Sequence, residues 1–189
     1  KPLWLLPDLK TPPHPLLARG KVRYQGEPIA VAVAEERYLA HDAVDAIKVD
    51  YERLDAVTDP IEAVSDDAPQ LHEDAPNNVA AEWEIGDEEA TDEAFANADR
   101  TIEVDLRNQR LAPAPMEPHA TLAHYRSGAD ELVVHMGTQC PHLHRRYFEE
   151  TLGFPENKMR VIAPEVGGGF GSKDSAHPDE MLTAWCSLP

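Results

Sequence analysis

Four glycines stand within five positions in the run Val161-Ile-Ala-Pro-Glu-Val-Gly-Gly-Gly-Phe-Gly-Ser-Lys173, with only Phe170 set among them. Glycine adopts positive φ at no steric cost and lets the backbone approach a ligand without a Cβ in the way. The chain therefore has to turn here, and successive N–H groups of such a turn can form an anion-binding nest. Two readings stand side by side: a flexible strand-to-helix turn, or a cradle for an anionic cofactor. Spacing removes two familiar phosphate loops. The P-loop places Gly-Lys-Ser/Thr at its end, whereas Lys173 lies between Ser172 and Asp174. The dinucleotide pattern G-x-G-x-x-G fails because Gly167-x-Gly169 leads to Ser172. Phe170 inside the run argues against a mere linker.

The segments around this run alternate between strand and helix signals. Residues 1–18 are proline-rich and aperiodic, an extended arm or the stub of a further domain. Lys21–Tyr24 and Ile29–Ala34 predict strands around the turn chemistry of Gln25-Gly-Glu-Pro28. Glu35–Ile47 carries Leu39, Ala43, Ala46 and Ile47 at helical spacing, and Ile47–Tyr51 alternates as a strand does. Asp59 and Pro60 predict a short helix with a cap and a first-turn proline. Residues 19–65 thus read as a small α+β domain, and residues 66–78 as a linker. From residue 79 to 189 a second domain begins. Val79–Ile85 and Ile102–Leu106 predict strands, with a helix over Glu88–Ala98 between them. Leu122–Tyr125 and Glu131–Met136 predict a hairpin about Ser127–Asp130. Pro141 and Gly153 bracket a helix, Lys158–Ala163 is a strand entering the glycine run, and a last helix covers His177–Leu188. No internal repeat is present.

Composition narrows the function classes. The 189 residues carry 35 acidic against 17 basic side chains, a net charge of −18, which argues against nucleic-acid binding through the phosphate backbone. Such a carboxylate-rich surface also suits high salt, where it stays hydrated while ions screen its self-repulsion. No apolar run approaches a membrane span. The N-terminus is apolar but broken by prolines, unlike a signal peptide, and lacks a Met, which suggests a processed or excised piece. Two cysteines, Cys140 and Cys186, without a CxxC pattern suit a reducing cytoplasm.

Gly137-Thr-Gln-Cys-Pro-His142 lies where a strand end feeds a helix, a favourable place for a ligand contact or simply for a helix cap. Gln139 can both donate and accept there. Cys140, His142 and His144 have metal-ligating chemistry, yet positions i and i+2 do not share a helix face. Glu117 stands between Met116 and Pro118 in an uncharged stretch, as a candidate acid or as a buried carboxylate paired with Arg107 or Arg110.

Four stretches, in order, resemble the molybdenum-binding large subunit of the xanthine oxidase family, in particular its carbon monoxide/aldehyde dehydrogenase type. They are Gly20-Lys-Val-Arg-Tyr-Gln-Gly-Glu-Pro-Ile-Ala-Val-Ala-Val-Ala34, Asn108-Gln-Arg-Leu-Ala-Pro-Ala-Pro-Met-Glu-Pro118, Gly137–His142 and Arg160–Lys173. Each is modest alone, and four in sequence are specific. The resemblance implies an α+β fold: a partial α/β hammerhead domain followed by the N-terminal part of a molybdopterin-binding α/β domain. It implies that Gln139 hydrogen-bonds near an oxo ligand of molybdenum. It implies that Gly168, Gly169, Phe170 and Gly171 lie against the metal and its dithiolene pterin, Phe170 excluding water.

The same resemblance implies a molybdopterin cofactor in its cytosine dinucleotide form and oxidation of a small substrate with oxygen from water. Electrons leave through an iron–sulfur (2Fe-2S) small subunit and an FAD-binding medium subunit, assembled as a dimer of heterotrimers in the cytoplasm. The family's general-base glutamate and its substrate loop lie downstream of the matched residues, and Cys140 is not the copper-binding cysteine of the carbon monoxide oxidisers. The expectation is therefore a fragment of a large catalytic subunit that does not turn over alone, with a glycine loop that is poorly ordered. The competing expectation, from another class, is a stand-alone acidic module that binds an anion or a partner without redox chemistry.

Overall fold

A computed structural model describes Leu6 and residues 8–189; the first part of the predicted N-terminal arm lies outside the described residues. The chain is a mixture of helix and sheet divided into two compact units. One joins the N-terminal segment ending at His14 to Tyr51–Arg110, and the other joins Pro15–Asp50 to Leu111–Pro189.

Among its described residues the first unit contains two α-helices, α2 (Pro60–Ala63) and α3 (Glu88–Ala96). The first begins at the predicted Asp59 cap, and the second is capped by Asp87. The Asp59 carboxylate accepts from the N–H of Ile61 at 2.7 Å and of Glu62 at 3.3 Å, and Asp87 accepts from Ala90 N–H at 2.9 Å. These bonds satisfy donors that the first helical turn leaves open. The stretch predicted as a linker is tied down by one side chain. Asn78 accepts from the N–H of Leu71 (2.8 Å) and donates to the carbonyls of Ala63 (2.8 Å) and Pro69 (3.1 Å).

The second unit holds α1 (Arg37–Asp45) and the sheet: β1 (Thr121–Arg126), β2 (Glu131–Met136) and β3 (Met159–Ile162), with α4 (Pro141–Leu152) and α5 (Pro178–Cys186). β1 and β2 form the predicted antiparallel hairpin, with Thr121 opposite Met136 and Arg126 opposite Glu131. β3 joins β2 in parallel after the α4 crossover, with Leu132 beside Met159 and His135 beside Ile162. Alternation along β2 sends Leu132, Val134 and Met136 inward, where they meet Phe148 of α4, Met159 of β3 and Met181 and Ala184 of α5. Helix α4 starts at Pro141 and stops at Gly153, whose φ of 71° is the left-handed C-terminal conformation that glycine accepts. Among the described residues no helix is long and apolar enough to cross a membrane.

Five predicted strands are not formed: Lys21–Tyr24, Ile29–Ala34, Ile47–Tyr51, Val79–Ile85 and Ile102–Leu106. The alternating apolar side chains of the last remain open to solvent, with Ile102 87% and Leu106 83% exposed. Alternation defines a face, but a strand also needs a neighbouring segment to take its N–H and C=O groups. Among the described residues no ladder forms on these five; Val79–Ile85 receives a single backbone bond, from Lys10 N–H to Ala80 C=O at 2.7 Å. The turn between the first two is present: the N–H of Glu27 donates to Tyr24 C=O at 3.3 Å.

Candidate functional site

β2 and β3 run parallel, so their C-terminal ends open on the same edge of the sheet. In sheets of this kind, ligands bind beyond the carboxyl ends of the strands. Here β2 leads into Gly137-Thr138-Gln139 and β3 leads into the glycine run. The two loops are bonded to one another. Gln139 Oε1 accepts from the N–H of Gly171 at 3.0 Å, and the N–H of Gln139 donates to the carbonyl of Lys173 at 3.0 Å. The structure therefore brings Gln139 and Gly168–Gly171 together, thirty-odd residues apart in the chain.

The glycines are required by both conformation and space. Gly167, Gly168 and Gly171 have φ of 58°, 93° and 84°, and Phe170 joins them at 50°. A side chain in the left-handed region costs about 1–2 kcal/mol, so Phe170 is held there by its surroundings. A Cβ on Gly167 would lie 2.1 Å from Glu117 Cβ, and one on Gly169 would lie 2.2 Å from Gln139 Oε1. Ser172 closes the turn by donating both its N–H and its hydroxyl to Gly169 C=O, each at 2.9 Å. The loop is thus a defined turn. Among the described residues no group accepts from the N–H groups of Gly168, Gly169 and Phe170, and none pairs with Gln139 Nε2. The Phe170 ring is 75% exposed and lines a shallow open hollow with Leu111–Ala114.

Behind the loops lies a buried polar network that sequence reasoning left out. Lys173 is 1% exposed, and its ammonium donates to the carbonyls of Glu117 (2.8 Å) and Val166. Thr138 Oγ1 donates to Lys173 C=O at 3.2 Å, accepts from Cys140 N–H at 3.0 Å and lies 2.8 Å from His144 Nδ1. On its other side His144 Nε2 stands 3.5 Å from Glu180 Oε2. Glu180 also accepts from the N–H of His177 at 3.0 Å and lies 3.4 Å from His119 Nδ1. His177 Nε2 in turn sits 2.7 Å from Ser172 C=O. Burial alone pushes the His144 imidazole down, but the Glu180 carboxylate and the Cys140 carbonyl outweigh it, and the net shift is upward. For Glu180, burial pushes up while His144 and the His177 N–H pull harder, and the carboxyl ends below its usual range. A sequence signal for Glu180 did exist, at the third position of a helix opening with Pro178, where a carboxylate commonly reaches back to cap.

The metal-ligating residues do not converge. His142 is exposed, whereas His144 is directed into the core. Cys140 faces Asp174, whose carboxylate pushes the thiol up, away from the thiolate that metals and electrophiles require. Glu117 contributes its backbone to the site, holding Lys173 through its carbonyl.

Comparison with known proteins supplies the family. The molybdopterin cofactor-binding domain family matches residues 71–189, and the a/b hammerhead domain of aldehyde oxidase and xanthine dehydrogenase matches residues 5–55. The carbon monoxide dehydrogenase large chain of Hydrogenophaga pseudoflava is 36% identical across 100% of this chain and 25% of its own length. The nicotine 6-hydroxylase large subunit of Paenarthrobacter nicotinovorans is 39% identical over 89% of this chain and 20% of its own. Among solved structures, Cu,Mo-CO dehydrogenase in its carbon monoxide reduced state superposes with a TM-score of 0.83 at 36% identity, covering 91% of this chain and 23% of that one. Quinoline 2-oxidoreductase from Pseudomonas putida 86 gives 0.82 at 34% identity, covering 92% and 22%. The chain spans about a quarter of the length of the curated relatives it matches, 25% in the first case. With the glycine turn and Gln139 held together at the ends of parallel strands, and with these matches across its length, the chain belongs to the molybdopterin-binding oxidoreductases of the aldehyde oxidase and xanthine dehydrogenase type.

Proposed function

We propose that this chain forms part of the large catalytic subunit of a molybdenum hydroxylase that oxidises carbon monoxide, an aldehyde or a related small substrate with oxygen from water. The observation that carries the reading is the bracket between Gln139 Oε1 and Gly171 N–H, which leaves Gln139 Nε2 and three loop N–H groups without a partner among the described residues. Those donors fit an anionic oxo-metal group and its pterin. So does the crowding at Gly167 and Gly169, where any side chain would displace Glu117 or Gln139. When bound, the cofactor supplies the two-electron redox chemistry. With the cofactor bound, Gln139 Nε2 would be free to donate to it, the N–H groups of Gly168–Phe170 would offset its negative charge, and Phe170 would shield that side from water. The competing stand-alone module has no observation in its favour.

The finer assignments are part of the same proposal. Similarity to carbon monoxide dehydrogenase large chains supports a cytosine dinucleotide form of the cofactor. It also supports an iron–sulfur small subunit, an FAD-binding medium subunit, a dimer of heterotrimers and a cytoplasmic setting. We place the hammerhead-like part at 19–65, a connection at 66–78 and the cofactor-binding part from 79; the family matches themselves span residues 5–55 and 71–189.

The test is Gln139→Ala in the assembled enzyme that contains this sequence. Molybdenum and pterin contents are expected to stay at the wild-type level while kcat falls about 100- to 1000-fold, in line with the loss of one donor to a developing oxyanion. A wild-type enzyme that binds neither molybdenum nor pterin, or an unchanged kcat in the variant, sinks the reading.

A further inference from the structure

Lys173 has no task in cofactor contact, yet it is among the most completely buried side chains of the chain, at 1% exposure. A buried ammonium persists only where its donors are satisfied. Among the described residues no carboxylate lies within ion-pairing distance of it, and its partners are two carbonyls, of Glu117 at 2.8 Å and of Val166. The nearby acid is Glu117. Its Oε1 and the Lys173 Nζ lie 3.8 and 3.4 Å from the point where a Cβ on Gly137 would stand. The backbone of the same lysine works in the other direction. Its carbonyl accepts from Gln139 N–H at 3.0 Å and from Thr138 Oγ1 at 3.2 Å. One residue therefore ties three separate segments: the Glu117 stretch, the end of β2 and the entry to the glycine turn.

We propose that Lys173 is the positioning residue of this wall, locking Gln139 and the glycine turn into one rigid unit. The proposal rests on the cofactor reading for the identity of what that wall faces, though the lock itself is a property of this chain. Without the ammonium, the Glu117 and Val166 carbonyls lose their common donor, the turn loses its anchor at the Val166 end while the Lys173 carbonyl still holds the other, and the bond from Gly171 N–H to Gln139 Oε1 opens.

Amide hydrogen exchange on the 15N-labelled 189-residue chain tests this. Lys173→Met keeps volume and removes the donors, with Lys158→Met as a surface control. In Lys173→Met the amides of Gly171 and Gln139 are expected to exchange at least about tenfold faster, while those of Val134 and Phe148 in the core keep their rates. Unchanged protection at Gly171, or an equal rise at every amide, overturns the proposal. Should Lys173→Met fail to fold, the wild-type chain decides in a urea series. Gln139 and Gly171 amides opening together supports the lock, and protection differing by more than about tenfold refutes it. The two readings fail separately. A wild-type chain with the lock intact, whose parent enzyme binds no molybdopterin, loses only the cofactor reading; cofactor binding without the lock loses only the role of Lys173.

Discussion

At the scale of single residues, Gly167 and Gly169 look alike in sequence and differ in what a side chain would meet. A Cβ on Gly169 would strike the amide end and Cγ of Gln139, a side chain that can swing into solvent. A Cβ on Gly167 would strike Glu117 Cβ at 2.1 Å, on a backbone already at φ 58°. Gly169→Ala is therefore expected to leave the unfolding free energy within about 0.5 kcal/mol of wild type while abolishing the Gly171 N–H bond. Gly167→Ala is expected to cost about 1–3 kcal/mol. Equal costs in urea melts would refute the distinction. His144 and Glu180 give a prediction in pH. The His144 pKa is raised from 6.5, so its stabilisation is complete below 6.5 and lost as pH rises through the folded value. The Glu180 pKa is lowered from 4.5, so its contribution is present above 4.5 and lost as pH falls through the folded value. The pair thus stabilises most between those two limits. Glu180→Gln is expected to destabilise more at about pH 5.5 than at about pH 8, because only the charged imidazole loses an ion partner. A deficit that is flat across that range in melts of both proteins would contradict the pairing.

At the scale of elements, α4 carries the packing on which the site rests. Phe148 is fully buried between β2, β3 and α5, and the helix begins one residue after Cys140, so its seating sets where the Gln139 loop leaves the sheet. Phe148→Ala is expected to lower stability by about 3–5 kcal/mol, read from urea or thermal unfolding. A loss under about 1 kcal/mol would mean that α4 is not anchored there. Elements of this kind were legible because their signals are local. Asp59 caps α2, Pro141 opens α4 and Gly153 ends it, and the hairpin at Ser127–Asp130 needs only adjacent residues. The segments at Ile29–Ala34 and Ile102–Leu106 carry a strand pattern as clear as that of β2, yet no ladder forms on them. Their pairing depends on what lies beside them, which alternation does not encode. The site was legible in the same uneven way. The glycine run and Gln139 announce themselves by composition and by resemblance. Lys173 and the Glu180–His144 pair do not, because burial of a charged residue is decided by segments far away in the sequence.

At the scale of the whole molecule, charge governs how the fold responds to its medium. The net charge of −18 is spread over a surface where few of the acids are paired, and the described ion pairs are mostly exposed. Exposed pairs contribute about 0–1 kcal/mol each, so they do not offset a long-range repulsion among 35 carboxylates. Helix α3 concentrates the effect, with Glu88, Glu89, Asp92 and Glu93 on nine residues and no basic side chain in its last turn. The Debye length falls from about 10 Å at 0.1 M to about 3 Å at 1 M salt, which silences repulsion between neighbouring acids. The buried links at Lys173 and Glu180 are shielded from solvent ions and keep their strength. Raising KCl from 0.1 to about 2 M is therefore expected to raise the Tm by about 5 °C or more, the acidic helix gaining most. Neutralising α3 with Glu89→Gln and Asp92→Asn should reproduce part of that gain at low salt and shrink the further response to KCl. A Tm that is flat or falls across the salt series would show that acidic repulsion is not what limits the stability of this fold.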